Sequence, residues 1–103
     1  MLTVLAMGGV DARSVAELCP FLERATGLDC RFLGKGPDPG FALIPERNQV
    51  DARAVLALLH EGRAPGERRL GVVAPDLCAK VFTFVFGEAV LGGDAAVVST
   101  HRL

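Results

Sequence analysis

Histidine and cysteine, the side chains that most often bind transition metals, are scarce in this sequence of 103 residues. The two histidines, His60 and His101, have no spacing that would let them share a metal ion. The three cysteines, Cys19, Cys30 and Cys78, match no C-x-x-C pattern. The sequence therefore predicts no metal site and no cofactor within these residues. An odd number of cysteines without an export signal predicts buried, reduced thiols and a cytoplasmic protein.

An excess of charge of either sign is also lacking. Lys and Arg number 11 against 12 Asp and Glu, and no run of like charge reaches five residues. This balance argues against nucleic acid or a membrane surface as a partner. Residues 1–7 are apolar but lack preceding basic residues, and no stretch approaches the roughly 18 apolar residues that cross a bilayer. With 50% hydrophobic residues the chain has enough apolar surface for one core, so residues 1–103 are predicted to form a single domain.

Complete catalytic motifs are missing as well. The string His60-Glu61-Gly62-Arg63-Ala64 begins like the zinc-peptidase motif H-E-x-x-H, but alanine stands where the second histidine is needed. Gly34-Lys35-Gly36 lacks the first glycine and the hydroxyl residue of a phosphate-binding loop. A thiol triad of Cys78, His101 and Asp76 has no sequence feature that brings its members together. We therefore predict no catalytic residue.

The first third of the chain has the pattern of a β–α–β unit. The apolar run Leu2–Met7 suits a buried central strand, and Asp11 is placed to cap the helix that follows. Pro20 interrupts the helical stripe, which predicts a kink or a restart, and Gly27 ends it. Residues 30–33 form the next apolar run, so two parallel strands joined by a helix are expected.

A second helix and a third strand follow. Asn48 is the predicted cap, with Asp51 at the third helical position as an approximate capping box. Apolar residues then recur at helical spacing until Gly62, which ends the helix. The apolar run at residues 70–73 predicts a third strand, which follows the second helix as another β–α–β crossover requires.

The last third predicts two more strands. Residues 81–90 alternate, with Phe82, Phe84 and Phe86 on one face, which is typical of an antiparallel or edge strand. Gly92 and Gly93 then form a tight hairpin into Ala95–Ser99. The predicted fold class is α/β with mixed strand directions: a twisted, five-stranded mixed sheet with two helices.

The same stretch resembles a known family. The strings Leu70-Gly71-Val72, Asp76-Leu77, Phe84-Val85-Phe86-Gly87-Glu88-Ala89, Ala96-Val97-Val98-Ser99 and Arg102-Leu103 are similar to strings of the archaemetzincins, a metzincin-type family of zinc metallopeptidases. The resemblance covers residues 70–103 well and residues 47–52 more loosely. It implies the N-terminal subdomain of a metzincin-like fold, while the family's zinc helix and its zinc-binding residues would lie beyond Leu103.

The resemblance also implies a site. In such peptidases the antiparallel edge strand takes up substrate backbone as an added strand. The predicted substrate-binding residues are therefore Thr83, Phe84, Val85, Phe86, Gly87, Glu88 and Ala89. We expect a truncated relative of a zinc peptidase that binds a peptide or protein segment along this edge and does not hydrolyse peptides by itself.

Two alternatives stay open. A non-catalytic module for peptide binding or self-assembly could derive from the same family, and an unrelated small α/β enzyme is the weaker third possibility. If a helix normally covers one face of the sheet, the 103 residues alone should self-associate, and a homodimer is the simplest closed form.

Overall fold

The computed structural model describes residues 1–79, 85, 87–89 and 93–102. In chain order the elements are β1 (Leu2–Met7), α1 (Ala12–Ala16), α2 (Leu18–Thr26), β2 (Cys30–Lys35), a 3₁₀ turn (Pro39–Ala42), β3 (Leu43–Ile44), β4 (Gln49–Asp51), α3 (Ala52–Glu61), β5 (Arg68–Val73), β6 (Leu77–Cys78), β7 (Gly87–Ala89) and β8 (Ala95–Ser99). Within this part of the chain, no helix is long and apolar enough to cross a membrane.

The main sheet has five strands in the order β2-β1-β5-β8-β7. β1 pairs with β2 and β5, and β5 pairs with β8, all in parallel. Among the described strands of this sheet, only β7 runs antiparallel, against β8. This confirms the predicted mixed sheet, in which the apolar strand β1 lies between two parallel neighbours.

The first predicted helix restarts before Pro20. α1 ends at Ala16 and α2 begins at Leu18, which makes Pro20 the third residue of α2. In the first turn of a helix the backbone N–H groups have no intrahelical acceptor, so the missing N–H of proline costs no hydrogen bond there. The predicted ends are also observed: Asp11 Oδ2 accepts from the N–H of Ser14 at 3.3 Å, and Gly27 ends α2 with φ 73°.

The predicted start of the second helix is wrong. Asn48 does not cap α3 but lies in a turn with φ 50°, and Asp51 is the cap, its Oδ1 accepting from the N–H of Arg53 at 3.1 Å. The reason is that residues 49–51 form β4 first. The N–H of Val50 donates to the carbonyl of Asp76 at 2.7 Å, so this backbone is committed to a strand pair.

A second, smaller sheet was not predicted. Its three strands lie in the order β3-β4-β6, with β3 antiparallel and β6 parallel to β4. Gln49 of β4 is buried, and its Nε2 donates to Asp76 Oδ2 at 2.9 Å. Through β6, this sheet holds the part of the chain that follows β5 and precedes the predicted substrate-binding residues.

The main sheet separates two apolar clusters. Leu5 and Met7 of β1 pack with Leu59 of α3 on one face, and Val4 packs with Val15 of α1 on the other. We call these the α3 face and the α2 face. Alternation along each strand assigns its residues to one face or the other.

One buried carboxylate lies at the amino ends of β1 and β5. Glu67 Oε2 accepts from the hydroxyl of the buried Thr3 at 2.7 Å, and its Oε1 accepts from the N–H of Ala64 and from Arg69 Nε, both at 2.9 Å. These hydrogen bonds stabilise the charged form, with that of Thr3 contributing most, and lower the pKa of Glu67 to about 2.

Candidate functional site

The candidate site begins with β7, which lies at one end of the strand order of the main sheet. Gly87, Glu88 and Ala89 pair with Val98, Val97 and Ala96 of β8, respectively. Among the described residues, no strand pairs with the other side of β7. An edge strand of this kind presents backbone N–H and C=O groups that a further strand can pair with.

The structure places four of the seven predicted substrate-binding residues. Gly87, Glu88 and Ala89 form β7, whereas Thr83, Phe84 and Phe86 lie outside the described residues, as do Phe82 and Gly92. Val85 pairs with Leu77 of β6 in an antiparallel bridge, and its N–H donates to the Leu77 carbonyl at 2.9 Å. The N–H of Val85 is therefore engaged within the chain.

Gly87 allows close contact with β8. A Cβ atom at this position would lie 2.7 Å from the carbonyl oxygen of Val97 and 2.9 Å from Cγ1 of Val98. Both distances are shorter than real Cβ contacts, so a side chain here would push β7 away from its partner. The glycine thus serves the internal β7–β8 pair.

A cavity of about 360 Å³ lies between α3 and β7. It is lined by Arg53, Leu56, Ala57 and His60 of α3 and by Glu88 and Ala89 of β7. Glu88 Oε1 lies 3.3 Å from Arg53 Nε, so an internal ion pair holds the carboxylate on the α3 face. The α3 residues were not predicted as site residues, although their spacing of three, four and seven positions places them along one side of a helix.

His60 joins a small charged cluster at one end of this cavity. Its Nδ1 lies 3.1 Å from Asp94 Oδ1, and Arg63 NH2 lies 3.2 Å from Asp94 Oδ2. The histidine side chain is 47% exposed. These contacts tie the end of α3 to the residues just before β8.

Asp76 is not available to the thiol triad considered above. Its two carboxylate oxygens accept from Arg102 Nε at 3.0 Å and from Arg102 NH2 at 2.9 Å. This paired arrangement, with desolvation opposing it, lowers the pKa of Asp76. Cys78 is buried, with 1% of its surface exposed. Within the described residues, no group of three or more His, Cys, Asp or Glu side chains is arranged to bind a metal ion.

The α2 face is open over β8. Val98 is 39% exposed, and Ala96, two residues earlier on the same face, is half-buried. A cavity of about 280 Å³ on this face is lined largely by apolar side chains, among them Leu22 of α2 and Leu70 of β5. On α2 itself, Leu18 is 40% exposed and Phe21 is 62% exposed. We call this set of side chains, Leu18, Phe21, Leu22, Leu70, Ala96 and Val98, the open patch.

No protein-family model matches the chain. Among curated proteins, the archaemetzincin of Archaeoglobus fulgidus is 44% identical over 57 residues, which cover 55% of this chain and 33% of that protein. The archaemetzincin of Haloquadratum walsbyi is 27% identical over 103 residues, which cover 100% of this chain and 59% of that protein. The chain therefore spans between a third and three fifths of these relatives.

Solved structures agree with the sequence matches. The crystal structure of the Archaeoglobus fulgidus archaemetzincin complexed with malonate matches with a TM-score of 0.82 and 30% identity, over 100% of this chain and 63% of that one. A zinc-dependent peptidase from Methanocorpusculum labreanum has the same fold, with a TM-score of 0.83 at 24% identity over 65% of its chain. The partial coverage fits an N-terminal portion of such proteins. By sequence and by fold, this chain is homologous to part of the archaemetzincins, a family of zinc metallopeptidases.

Proposed function

We propose that this chain is the substrate-holding part of an archaemetzincin-like zinc peptidase and that it binds peptide backbone along β7. The observation that carries the proposal is the position of β7, an antiparallel strand at the end of the sheet order in a fold that matches an archaemetzincin at a TM-score of 0.82. Backbone pairing at a sheet edge recognises a peptide without requiring one particular sequence.

The bound peptide runs antiparallel to β7 and adds a sixth strand to the main sheet. Its side chains alternate between the α3 face and the α2 face. On the α3 face they meet the cavity beside Leu56 and Ala57, which favours apolar side chains. Glu88 contributes little preference for basic peptides because Arg53 already neutralises it.

The 103 residues do not hydrolyse peptides by themselves. Zinc peptidases bind the ion with three protein ligands and use it to lower the pKa of a bound water to about 7. Two histidines in the whole sequence, one of them beside Asp94 and Arg63, do not supply such a ligand set. No catalytic step is therefore assigned to residues of this chain.

Amide hydrogen exchange, measured with and without an unstructured apolar peptide, tests whether β7 binds peptide backbone. We expect slower exchange at residues 87–89 when the peptide binds and no change at β2, the opposite end of the sheet. The variant Gly87→Ala should weaken binding because the added Cβ displaces β7, while Ala89→Ser on the same strand should retain it. Unchanged exchange at residues 87–89 with saturating peptide contradicts the proposal.

Elemental analysis and the encoding DNA test the missing zinc site. We expect less than one tenth of a zinc ion per chain and no cleavage of a peptide library. An H-E-x-x-H helix encoded in any frame after codon 103 would support the assignment to a zinc peptidase. One tightly bound zinc per chain, with cleavage that a chelator abolishes, would overturn the proposal.

A second candidate function is a self-assembling module in which two copies cover each other's open patch. The exposed Val98, Leu18 and Phe21 favour it, since large apolar patches on a protein mark interaction surfaces. Light scattering at tens of micromolar should then give a dimer, and Val98→Asp should give a monomer with an unchanged circular dichroism spectrum. A folded wild-type monomer at that concentration rejects the dimer.

We also place the protein in the cytoplasm because its three cysteines are free thiols.

A further inference from the structure

Two thiols from different elements meet at the far end of the sheet from β7. Cys19 lies in α2, Cys30 begins β2, and their Sγ atoms are 3.0 Å apart. Cys19 is 8% exposed and Cys30 is half-buried, so the pair lies just beneath the surface. The third thiol, Cys78, is buried on β6 in the smaller sheet.

The surroundings of Cys30 slow its attack on oxidants at neutral pH. Burial, followed by the hydrogen bond to Cys19, raises the pKa of Cys30 to about 12. Glu23 adds a negative charge nearby, its Oε2 accepting from the N–H of Cys30 at 3.3 Å. A thiol attacks only as the thiolate, so the Cys30 sulfur attacks mild oxidants slowly.

We propose that Cys19 and Cys30 form a reversible disulfide bond when the protein meets a peroxide. Cys30 Sγ donates its hydrogen bond to Cys19 Sγ, so Cys19 is the sulfur that attacks as the thiolate. The Cys19 thiolate attacks one peroxide oxygen, the O–O bond breaks, and the departing hydroxide takes up a proton to leave as water. Cys30 Sγ then attacks the sulfenic sulfur of Cys19, and the S–O bond breaks to release a second water. The two thiols together lose two electrons and the peroxide gains them.

The geometry needs little adjustment for this bond. A disulfide S–S bond is about 2.05 Å long, so the sulfurs approach by about 1 Å. The closed bond joins α2 to β2 across a separation of 11 positions, a loop that includes the turn at Gly27. Such a link restricts the unfolded chain and makes oxidation a stabilising modification of the β1–α–β2 unit.

Thiol counting on the full 103-residue protein tests the proposal. After treatment with hydrogen peroxide and then alkylation with iodoacetamide in a denaturant, which exposes the buried thiols, we expect the number of modified cysteines to fall from three to one, and dithiothreitol to restore three. Trypsin should yield residues 14–24 joined to residues 25–31, since Arg13, Arg24 and Arg31 bound these fragments. The oxidised protein should melt about 10 °C higher than the reduced protein.

Cysteine variants provide the controls. Cys78→Ser should retain the linked fragments, and Cys19→Ser should lose them. The mapping of the wild-type protein decides the matter even if Cys19→Ser fails to fold. Three alkylated cysteines after peroxide, a linked fragment containing Cys78, or sulfinic acid on Cys19 without a linked fragment would each overturn the proposal.

Discussion

The two faces of β8 differ sharply in how well they are covered. Ala95, Val97 and Ser99, on the α3 face, are 2%, 0% and 4% exposed, whereas Val98, on the α2 face, is 39% exposed. The strand is the same, so the difference comes from the helices. α3 packs on β8 and β7, while α1 and α2 pack mainly on β1 and β2 and stop short of β8. Apolar residues of one strand therefore contribute very differently to stability.

Charged substitutions on neighbouring residues of β8 should give the largest contrast. Val97→Asp places a carboxylate among apolar side chains without a partner, and we expect a loss of more than about 4 kcal/mol, enough to unfold the protein. Val98→Asp should cost less than about 1 kcal/mol because its side chain reaches water. Urea denaturation followed by circular dichroism measures both. Equal losses would mean that the α2 face is covered in solution.

Leucine-to-alanine substitutions on α3 and α2 should give the next largest difference in the free energy of unfolding. Leu59 of α3 is 1% exposed, so Leu59→Ala should cost about 2–5 kcal/mol through lost burial and the cavity that remains. Leu18 of α2 is 40% exposed, and Leu18→Ala should cost less than about 1 kcal/mol. If Leu18→Ala proved as costly as Leu59→Ala, then α2 would pack against a partner that covers the open patch.

Acid should weaken the α3 face through the buried hydrogen bond between the Thr3 hydroxyl and the Glu67 carboxylate. The folded pKa of Glu67 is about 2, below the ordinary 4.5, so the unfolded chain takes up a proton more readily as the pH falls. The stabilisation is complete above about pH 5 and is lost between pH 4.5 and pH 2, by up to about 3 kcal/mol. Glu67→Gln should remove this pH dependence, while the equivalent change at the exposed Glu61 should not.

The long elements were predictable because each has a local cause. The run Leu2–Met7, apolar except for Thr3, predicted β1, and Gly27 was placed to take the left-handed conformation that ends α2. The parallel pairing of β1 with β2 was expected from the crossover helix between them, whereas the order of the five strands comes from the structure. The hairpin partner of β8 was also predicted, and its described part, β7, runs antiparallel as expected.

The smaller sheet could not be predicted from local pattern. Its strands have two or three residues, too few to show a period, and they pair across long separations. The contact between Gln49 and Asp76 spans 27 positions. For the same reason Asn48 looked like a helix cap, since nothing near it in the sequence indicates β4. The α3 residues that line the cavity beside β7 were not predicted, because the sequence does not show that α3 and β7 lie next to each other.

The position of β1 between β2 and β5 matters while the chain is being synthesised. β1 leaves the ribosome before its second neighbour, β5, which begins beside Glu67, whose contact with Thr3 spans 64 positions. At about 5–20 residues per second, the second edge of β1 waits roughly 3–13 s for its partner. During that interval the nascent chain presents an apolar strand with one unpaired edge. Newly synthesised protein is thus most prone to misassembly before residue 68 appears, and slower translation should lengthen that period.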